Sequence, residues 1–115
     1  MDDRTIYIID RIVLTPGSAP AFIDAYLSGY APKARARGLT LDRILVSPPA
    51  WIDGETNTVT ATWTVPGPKA WWAAAVGARH DPEPAGWWDS MAPMIVERTR
   101  SMASRAEDVE GLCDV

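Results

Sequence analysis

Alternating hydrophobic and polar positions predict four strands in this chain. Residues 5–14 (TIYIIDRIVL) are rich in β-branched side chains and mostly apolar on both faces, which is typical of a central strand. Residues 57–65 (NTVTATWTV) place apolar side chains on one face and four threonines on the other. Residues 39–47 form a further predicted strand. Residues 96–104 are most simply the last strand, with a continuing helix as the alternative.

Apolar positions at helical spacing predict a first helix after the first strand. It covers residues 19–30 and follows a Thr-Pro-Gly-Ser turn. Pro32 is expected to kink or restart this helix, because proline lacks the amide hydrogen that a helix interior uses. Gly38 is expected to end it, since glycine suits the left-handed conformation that follows many helices.

Two more helical segments are predicted in the second half of the chain. One runs from about Pro68 to Arg79, after a hairpin that turns at Asp53-Gly54. The other covers about residues 85–94. Residues 81–84 (DPEP) lie between them and are expected not to be helical, because proline restricts the residue before it.

The resulting order, β-α-β-β-α-β with an extra helical segment before the last strand, is the ferredoxin-like arrangement of the α+β class. It predicts a four-stranded antiparallel sheet with strand one between strands three and four and the helices on one face. Residues 1–104 form this single domain, and residues 105–115 are an acidic C-terminal tail. The sheet face without helices is expected to pack against a second copy, which gives a homodimer.

Composition limits the partners. A net charge of −4 argues against nucleic acid, whose binding needs a basic face. No run of about 18 apolar residues is present, so no membrane span is expected. The acidic N-terminus MDDRTIYIID does not resemble a signal peptide, which predicts a cytoplasmic protein. Cys113 is the only cysteine, and no Cys/His cluster is present, so neither a disulfide nor a metal site is expected.

His80, the only histidine, is the first catalytic candidate. It ends the helix that carries Trp71 and Trp72. If that helix is unbroken, the four-residue spacing places Trp72, Val76 and His80 on one side. A histidine against a tryptophan wall is suited to act as a general base or acid. The alternative is an exposed histidine stabilised by the helix dipole.

Asp10 is the second candidate, because it lies in the middle of an aliphatic face of the first strand. A carboxylate there must be paired, hydrogen-bonded or protonated. One interpretation is a buried ion pair with Arg98 or Arg100 on the last strand. The other is a pocket acid or base that orients His80.

Six tryptophans in so short a chain predict an oligomer, an aromatic-lined pocket or both, with core and interface filling as the alternative to a pocket wall. Trp63 alternates with small residues on the third strand and is expected under a helix. Tyr26 and Tyr30 share a helix face, where a phenol can polarise a substrate carbonyl or can simply fill the core. The predicted substrate-binding residues are aromatic: Phe22, Trp63, Trp71, Trp72, Trp87 and Trp88.

The element order over residues 5–104 resembles the dimeric α+β barrel superfamily, near its antibiotic-biosynthesis, haem-degrading monooxygenase and polyketide cyclase branches. The small haem-degrading monooxygenases have an Asn on strand one, a Trp on the second helix and a His shortly after it. Asp10 stands at the Asn position, Trp71 or Trp72 matches the Trp, and His80 matches the His. The resemblance implies a pocket between sheet and helices, with haem as an alternative cofactor. Other branches, such as muconolactone-type isomerases and quinone-forming monooxygenases, imply chemistry without a cofactor.

The sequence therefore predicts a cofactor-independent enzyme that acts on a small hydrophobic aromatic or polycyclic molecule. The reaction is a proton transfer of the cyclase, isomerase or lyase type, with His80, Asp10, Tyr26 and Tyr30 as catalytic residues. Two alternatives stay open: a monooxygenase, either cofactor-free or haem-degrading, and a non-catalytic protein that binds a hydrophobic ligand.

Overall fold

A four-stranded antiparallel sheet forms one layer of the protein in the computed structural model, which describes residues 4–113. The strands are β1 (Thr5–Leu14), β2 (Thr40–Ser47), β3 (Asn57–Pro66) and β4 (Ile95–Ser104). Their order is β2-β3-β1-β4, and each neighbouring pair is antiparallel. The predicted ferredoxin-like arrangement is confirmed, including the central position of β1 and a strand over the last segment.

The first helical region is one rod with a wider turn in its middle. It comprises α1 (Ala19–Ala25), a π-helical segment (Tyr26–Tyr30) and α2 (Ala31–Ala36). The amide of Ala31 donates to the carbonyl of Tyr26, five residues back, directly before Pro32. A proline ring crowds the carbonyl four residues earlier, and a π-turn is one way to relieve that contact. Gly38 follows with a φ of 98°, as expected of a residue that terminates a helix.

The second half of the chain contains α3 (Pro68–His80) and α4 (Glu83–Met91). The prediction that residues 81–84 are not helical is wrong for Glu83 and Pro84, which form the first turn of α4. Amide hydrogens in the first turn of a helix have no acceptor within the helix. Pro84, which lacks an amide hydrogen, therefore fits into the first turn of α4. A 3-10 turn (Ala92–Met94) then leads into β4.

The last described residues are helical turns, Ala106–Asp108 and α5 (Val109–Cys113). They belong to the predicted acidic tail, whose final residues 114–115 lie outside the described part of the chain. Arg4 Nε and Asp108 Oδ1 are 3.9 Å apart, which places the tail beside the start of β1. None of the helices formed by residues 4–113 has the length and hydropathy needed to cross a membrane.

The core lies between the sheet and the helices. Even-numbered side chains of β1 and odd-numbered side chains of β3 face the helices and are mostly buried. The opposite sheet face carries the β3 threonines, half-buried Tyr7, Ile9 and Val13, and exposed Leu45. It also carries an ion pair between Arg11 and Glu97, with 3.4 Å between nitrogen and oxygen. This second face is thus less apolar than the first.

Candidate functional site

Asp10 is almost fully buried, with 1% of its surface exposed, and lies directly across from Arg100 in the β1–β4 pairing. Arg100 Nε donates to Asp10 Oδ1 over 2.6 Å, and Arg100 Nη2 donates to Oδ2 over 3.0 Å. Such a bidentate pair is the strong form of a carboxylate–guanidinium contact. Of the two interpretations of Asp10, the structure shows the ion pair. The other candidate partner, Arg98, places its guanidinium carbon 4.1 Å from the centre of the Trp88 ring.

Tyr26 connects this ion pair to the core. Its hydroxyl donates to Asp10 Oδ2 over 2.8 Å and accepts from Trp63 Nε1 over 2.7 Å. Arg100 Nη2 also donates to the Tyr30 hydroxyl over 2.5 Å. We call Asp10, Tyr26, Tyr30, Trp63 and Arg100 the Asp10 network. It joins β1, β3, β4 and the π-helical segment, and each of its five side chains makes at least one hydrogen bond within it.

The pKa values of Tyr26 and Arg100 are both raised in this network. Burial raises the pKa of Tyr26 well above its usual range, and the neighbouring Asp10 charge raises it further. Burial acts to lower the pKa of Arg100, but the hydrogen bonds and charge of Asp10 more than offset it, so that pKa is raised. Tyr26 is therefore neutral and Arg100 cationic near neutral pH. Neither group has the pKa near neutral pH that a general acid or base needs.

A cavity of about 540 Å³ lies beside the network, between α3 and the sheet. We call it the α3 cleft. Most of its lining is apolar, and Arg37 and Arg100 are its titratable side chains. A smaller cavity of about 290 Å³ shares Trp71 and Met102 with it and extends to Leu112 of α5. The residues that line the α3 cleft are Ile8, Arg37, Leu39, Trp71, Ala74, Ala75, Ala78, Arg100, Ser101 and Met102.

The alanines of α3 explain which side of this helix faces the sheet. Ala74, Ala75 and Ala78 follow Trp71 at intervals of three, four and seven residues, so the four side chains lie on one face. Short side chains do not fill the space between the helix and the sheet, and they leave open volume beside the single large residue, Trp71. The cleft is thus a consequence of an alanine-rich helix face with one tryptophan.

His80 lies on the opposite side of α3, nine residues after Trp71, and is exposed. Trp72 and Val76 share that side, as the sequence predicted, with 58% and 44% of their surfaces exposed. His80 is not among the hydrogen-bonding partners of Asp10 within residues 4–113. The structure of the single chain therefore does not bring the two together, and the catalytic role of His80 stays a prediction.

The other predicted aromatic residues form a cluster under α1, the π-helical segment and α4. Phe22, Trp63 and Trp88 are buried in the core there, and Trp87 packs against that core. Trp87 also approaches Gly29, where a Cβ atom would lie 2.6 Å from its indole nitrogen, so the glycine is needed for this contact. Of the six predicted substrate-binding residues, Trp71 alone lines the α3 cleft.

Sequence reasoning missed Arg37 as a site residue. It follows α2 directly before Gly38, a position where a basic residue is ordinary at the end of a helix. A basic residue at the C-terminal end of a helix, directly before the glycine that terminates it, was the only available signal. Its place in the cleft depends on how α2 and α3 pack, which the local pattern does not encode.

The α3 cleft does not fit the haem alternative. Haem iron is usually held by a His, Cys or Tyr, or by a Met together with a His. In the part of the chain that the structure describes, Met102 is the only side chain of these types that lines the cleft. Within residues 4–113, no three His, Cys, Asp or Glu side chains are grouped so as to hold a metal ion.

Comparison with known proteins identifies the fold. No family model matches the sequence, and no curated protein does. A NIPSNAP family protein of unknown function from Agrobacterium tumefaciens is similar in structure, with a TM-score of 0.69, 13% identity and 92% of both chains covered. A NIPSNAP domain protein from Burkholderia xenovorans gives a TM-score of 0.68 at 13% identity, with 88% of this chain and 94% of that chain covered.

A second group of similar structures is represented by a candidate antibiotic biosynthesis monooxygenase from Nitrosomonas europaea. Its TM-score is 0.59 at 16% identity, with 92% of this chain and 94% of that chain covered. At such identities the likeness is one of fold. It confirms the ferredoxin-like α+β arrangement.

Proposed function

We propose that this protein binds a small hydrophobic molecule, aromatic in part, in the α3 cleft. The observation that carries the proposal is the cleft itself. It has the volume of a small-molecule site and a mostly apolar lining with a few polar groups. Trp71 offers one large aromatic surface against which a planar ligand can stack.

Binding is the best supported of the three functions that the sequence predicted. A proton-transfer enzyme needs a group in its pocket that accepts a proton near neutral pH. Among residues 4–113, the titratable side chains that line the α3 cleft are two arginines, and a guanidinium group is a hydrogen-bond donor without an acceptor site. The lining therefore suits recognition and charge stabilisation better than it suits base catalysis.

The cofactor-independent cyclase, isomerase or lyase stays a second proposal on the same cleft. In it, Arg100 would stabilise negative charge on a substrate oxygen, and His80 would have to supply the base from the end of α3. Such an enzyme must lose turnover in His80→Ala while it keeps ligand binding.

The monooxygenase alternative is supported by the likeness in fold to candidate antibiotic biosynthesis monooxygenases. It requires oxygen consumption with a bound electron-rich substrate.

Trp71→Ala is expected to weaken binding of the neutral fluorescent probe N-phenyl-1-naphthylamine about tenfold or more. The change removes aromatic contact area whose burial contributes about 1.5–3 kcal/mol. The measurement is a fluorescence titration of the probe with native protein and variant. Trp72→Ala is the matched control, because Trp72 is the next residue of α3 but is 58% exposed and does not line the cleft.

A second variant, which fills the α3 cleft, distinguishes loss of the binding site from loss of the fold. Ala75→Phe puts a ring into the cleft and should also abolish probe binding, while circular dichroism reports whether each variant is folded. Equal weakening by Trp71→Ala and Trp72→Ala, or full binding in a folded Ala75→Phe protein, would contradict the proposed site.

We also propose a homodimer through the second sheet face. Tyr7, Ile9 and Val13 are half-buried side chains on a face outside the core cluster, and Leu45 beside them is 55% exposed. Sedimentation equilibrium is expected to give the mass of two chains. Ile9→Lys, which places a charge in the middle of this face, should return the mass to that of one chain. A native protein of single-chain mass at about 0.1 mM would rule the dimer out.

A further inference from the structure

We propose that the ligand of the α3 cleft carries a carboxylate and that Arg37 recognises it. The proposal deepens the binding function above and rests on it. It follows from the balance of charge in the cleft, from the position of Arg37, and from the apolar character of the remaining lining.

Two cationic side chains line the α3 cleft, and only one of them is paired with a carboxylate of the described residues. Both charged residues of its lining are arginines, and none of the carboxylates in residues 4–113 lines it. Asp10 compensates Arg100 through two hydrogen bonds. Arg37 has no ion pair within the described residues, and its Nη1 atom is buried without a hydrogen-bond partner there. A buried guanidinium donor left unpaired is costly, and a ligand acceptor that reaches Arg37 from the cleft would lower that cost.

Packing holds the Arg37 side chain at the cleft. Its aliphatic part passes Gly77 of α3, where a Cβ atom would lie 3.5 Å from Arg37 Cδ. The guanidinium carbons of Arg37 and Arg100 lie 6.0 and 5.8 Å from the centre of the same ring, that of Tyr30.

The chemistry of the two sides of the cleft defines the ligand class. Trp71, Leu39 and Met102 contact an apolar or aromatic body. A planar guanidinium fork matches a carboxylate in two parallel hydrogen bonds, better than it matches a hydroxyl or a neutral amide. The ligand is therefore an amphipathic acid, with an aromatic or aliphatic body and one carboxylate.

The test compares 2-naphthoate with 2-naphthamide, which has nearly the same shape but no charge. Calorimetric titration of the native protein should show naphthoate binding about 10- to 100-fold more tightly, the effect expected of hydrogen bonds to a charged group. Arg37→Met keeps an unbranched apolar side chain in place of the aliphatic part and removes the guanidinium charge, so the preference should disappear. Arg37→Lys keeps the charge without the fork and should retain part of the preference.

Arg35→Met is the matched control, because Arg35 lies in α2 but is exposed and does not line the cleft. It should leave the preference unchanged. A second readout separates recognition from a structural role: Arg37→Met should not lower the melting temperature of the ligand-free protein, since it removes an unpaired buried donor.

Three results would overturn the proposal: equal binding of the two probes by the native protein, a preference that survives Arg37→Met, or a lower melting temperature of Arg37→Met without ligand. If both probes bind equally and depend on Trp71, the carboxylate inference fails while the binding function stands. If neither probe nor N-phenyl-1-naphthylamine binds, both fail.

Discussion

Replacing Arg100 with methionine is expected to lower the free energy of unfolding by about 3–5 kcal/mol at neutral pH. The change leaves the Asp10 carboxylate, whose side chain is 2% exposed, without its charge partner and with Tyr26 as its remaining donor. A buried carboxylate that loses its partner pays the full cost of its burial. A domain of this size has a total stability of about 5–15 kcal/mol, so the loss is large. Urea denaturation followed by tryptophan fluorescence measures it.

The double variant Asp10→Asn/Arg100→Met tests whether the cost comes from the stranded charge. It removes both charges and leaves an amide oxygen that can still accept from Tyr26, so it should be more stable than Arg100→Met alone. Arg98→Met is the control on the same face of β4. It removes a cation beside Trp88 and should cost about 1 kcal/mol or less. Losses that simply add in the double variant would show that Asp10 and Arg100 are not coupled.

The same ion pair shows how far sequence reasoning reaches into the site. Asp10 on an aliphatic face requires a partner, and this need could be predicted from the strand pattern alone. Arg98 and Arg100 lie on the same face of β4, so the pattern could not choose between them. The register of β1 against β4 decides it, because Asp10 pairs with Arg100 and Ile12 with Arg98. Register depends on packing along the whole sheet rather than on any local signal.

Helix α3 shows a similar limit. Helical spacing correctly grouped Trp72, Val76 and His80 on one side, but it could not say whether that side faces the sheet. The face that turns inward is instead the one with Trp71 and three alanines, and it borders the cleft. The side of the helix that carries Trp72 and His80, which was predicted to face a pocket, is exposed. The strands, in contrast, were predicted closely, because alternation with β-branched residues is a strong local signal.

Replacing Tyr26 with phenylalanine is expected to lower the free energy of unfolding by about 2–4 kcal/mol near neutral pH. The ring stays and keeps its stacking with Tyr30, whose ring centre is 5.0 Å away. The lost hydroxyl leaves the buried Trp63 Nε1 donor without its acceptor and removes one donor from Asp10. Urea denaturation of native protein and variant at neutral pH gives the difference. A loss below about 0.5 kcal/mol would mean that the hydroxyl is not part of a tightly satisfied network.

The difference between the two proteins should also shrink in alkali, which is a sharper test. In the unfolded chain Tyr26 ionises with its ordinary pKa of about 10, whereas in the folded protein burial and Asp10 raise that pKa, and the hydroxyl stays neutral. The stability that Tyr26 contributes is therefore complete below about pH 10 and declines above it by about 1.4 kcal/mol per pH unit. Phenylalanine cannot ionise, and the other tyrosines are common to both proteins, so the gap should narrow by roughly 1.4 kcal/mol between about pH 9 and about pH 11. A gap that stays constant or widens over that range would show that Tyr26 ionises as readily in the folded protein as in the unfolded chain.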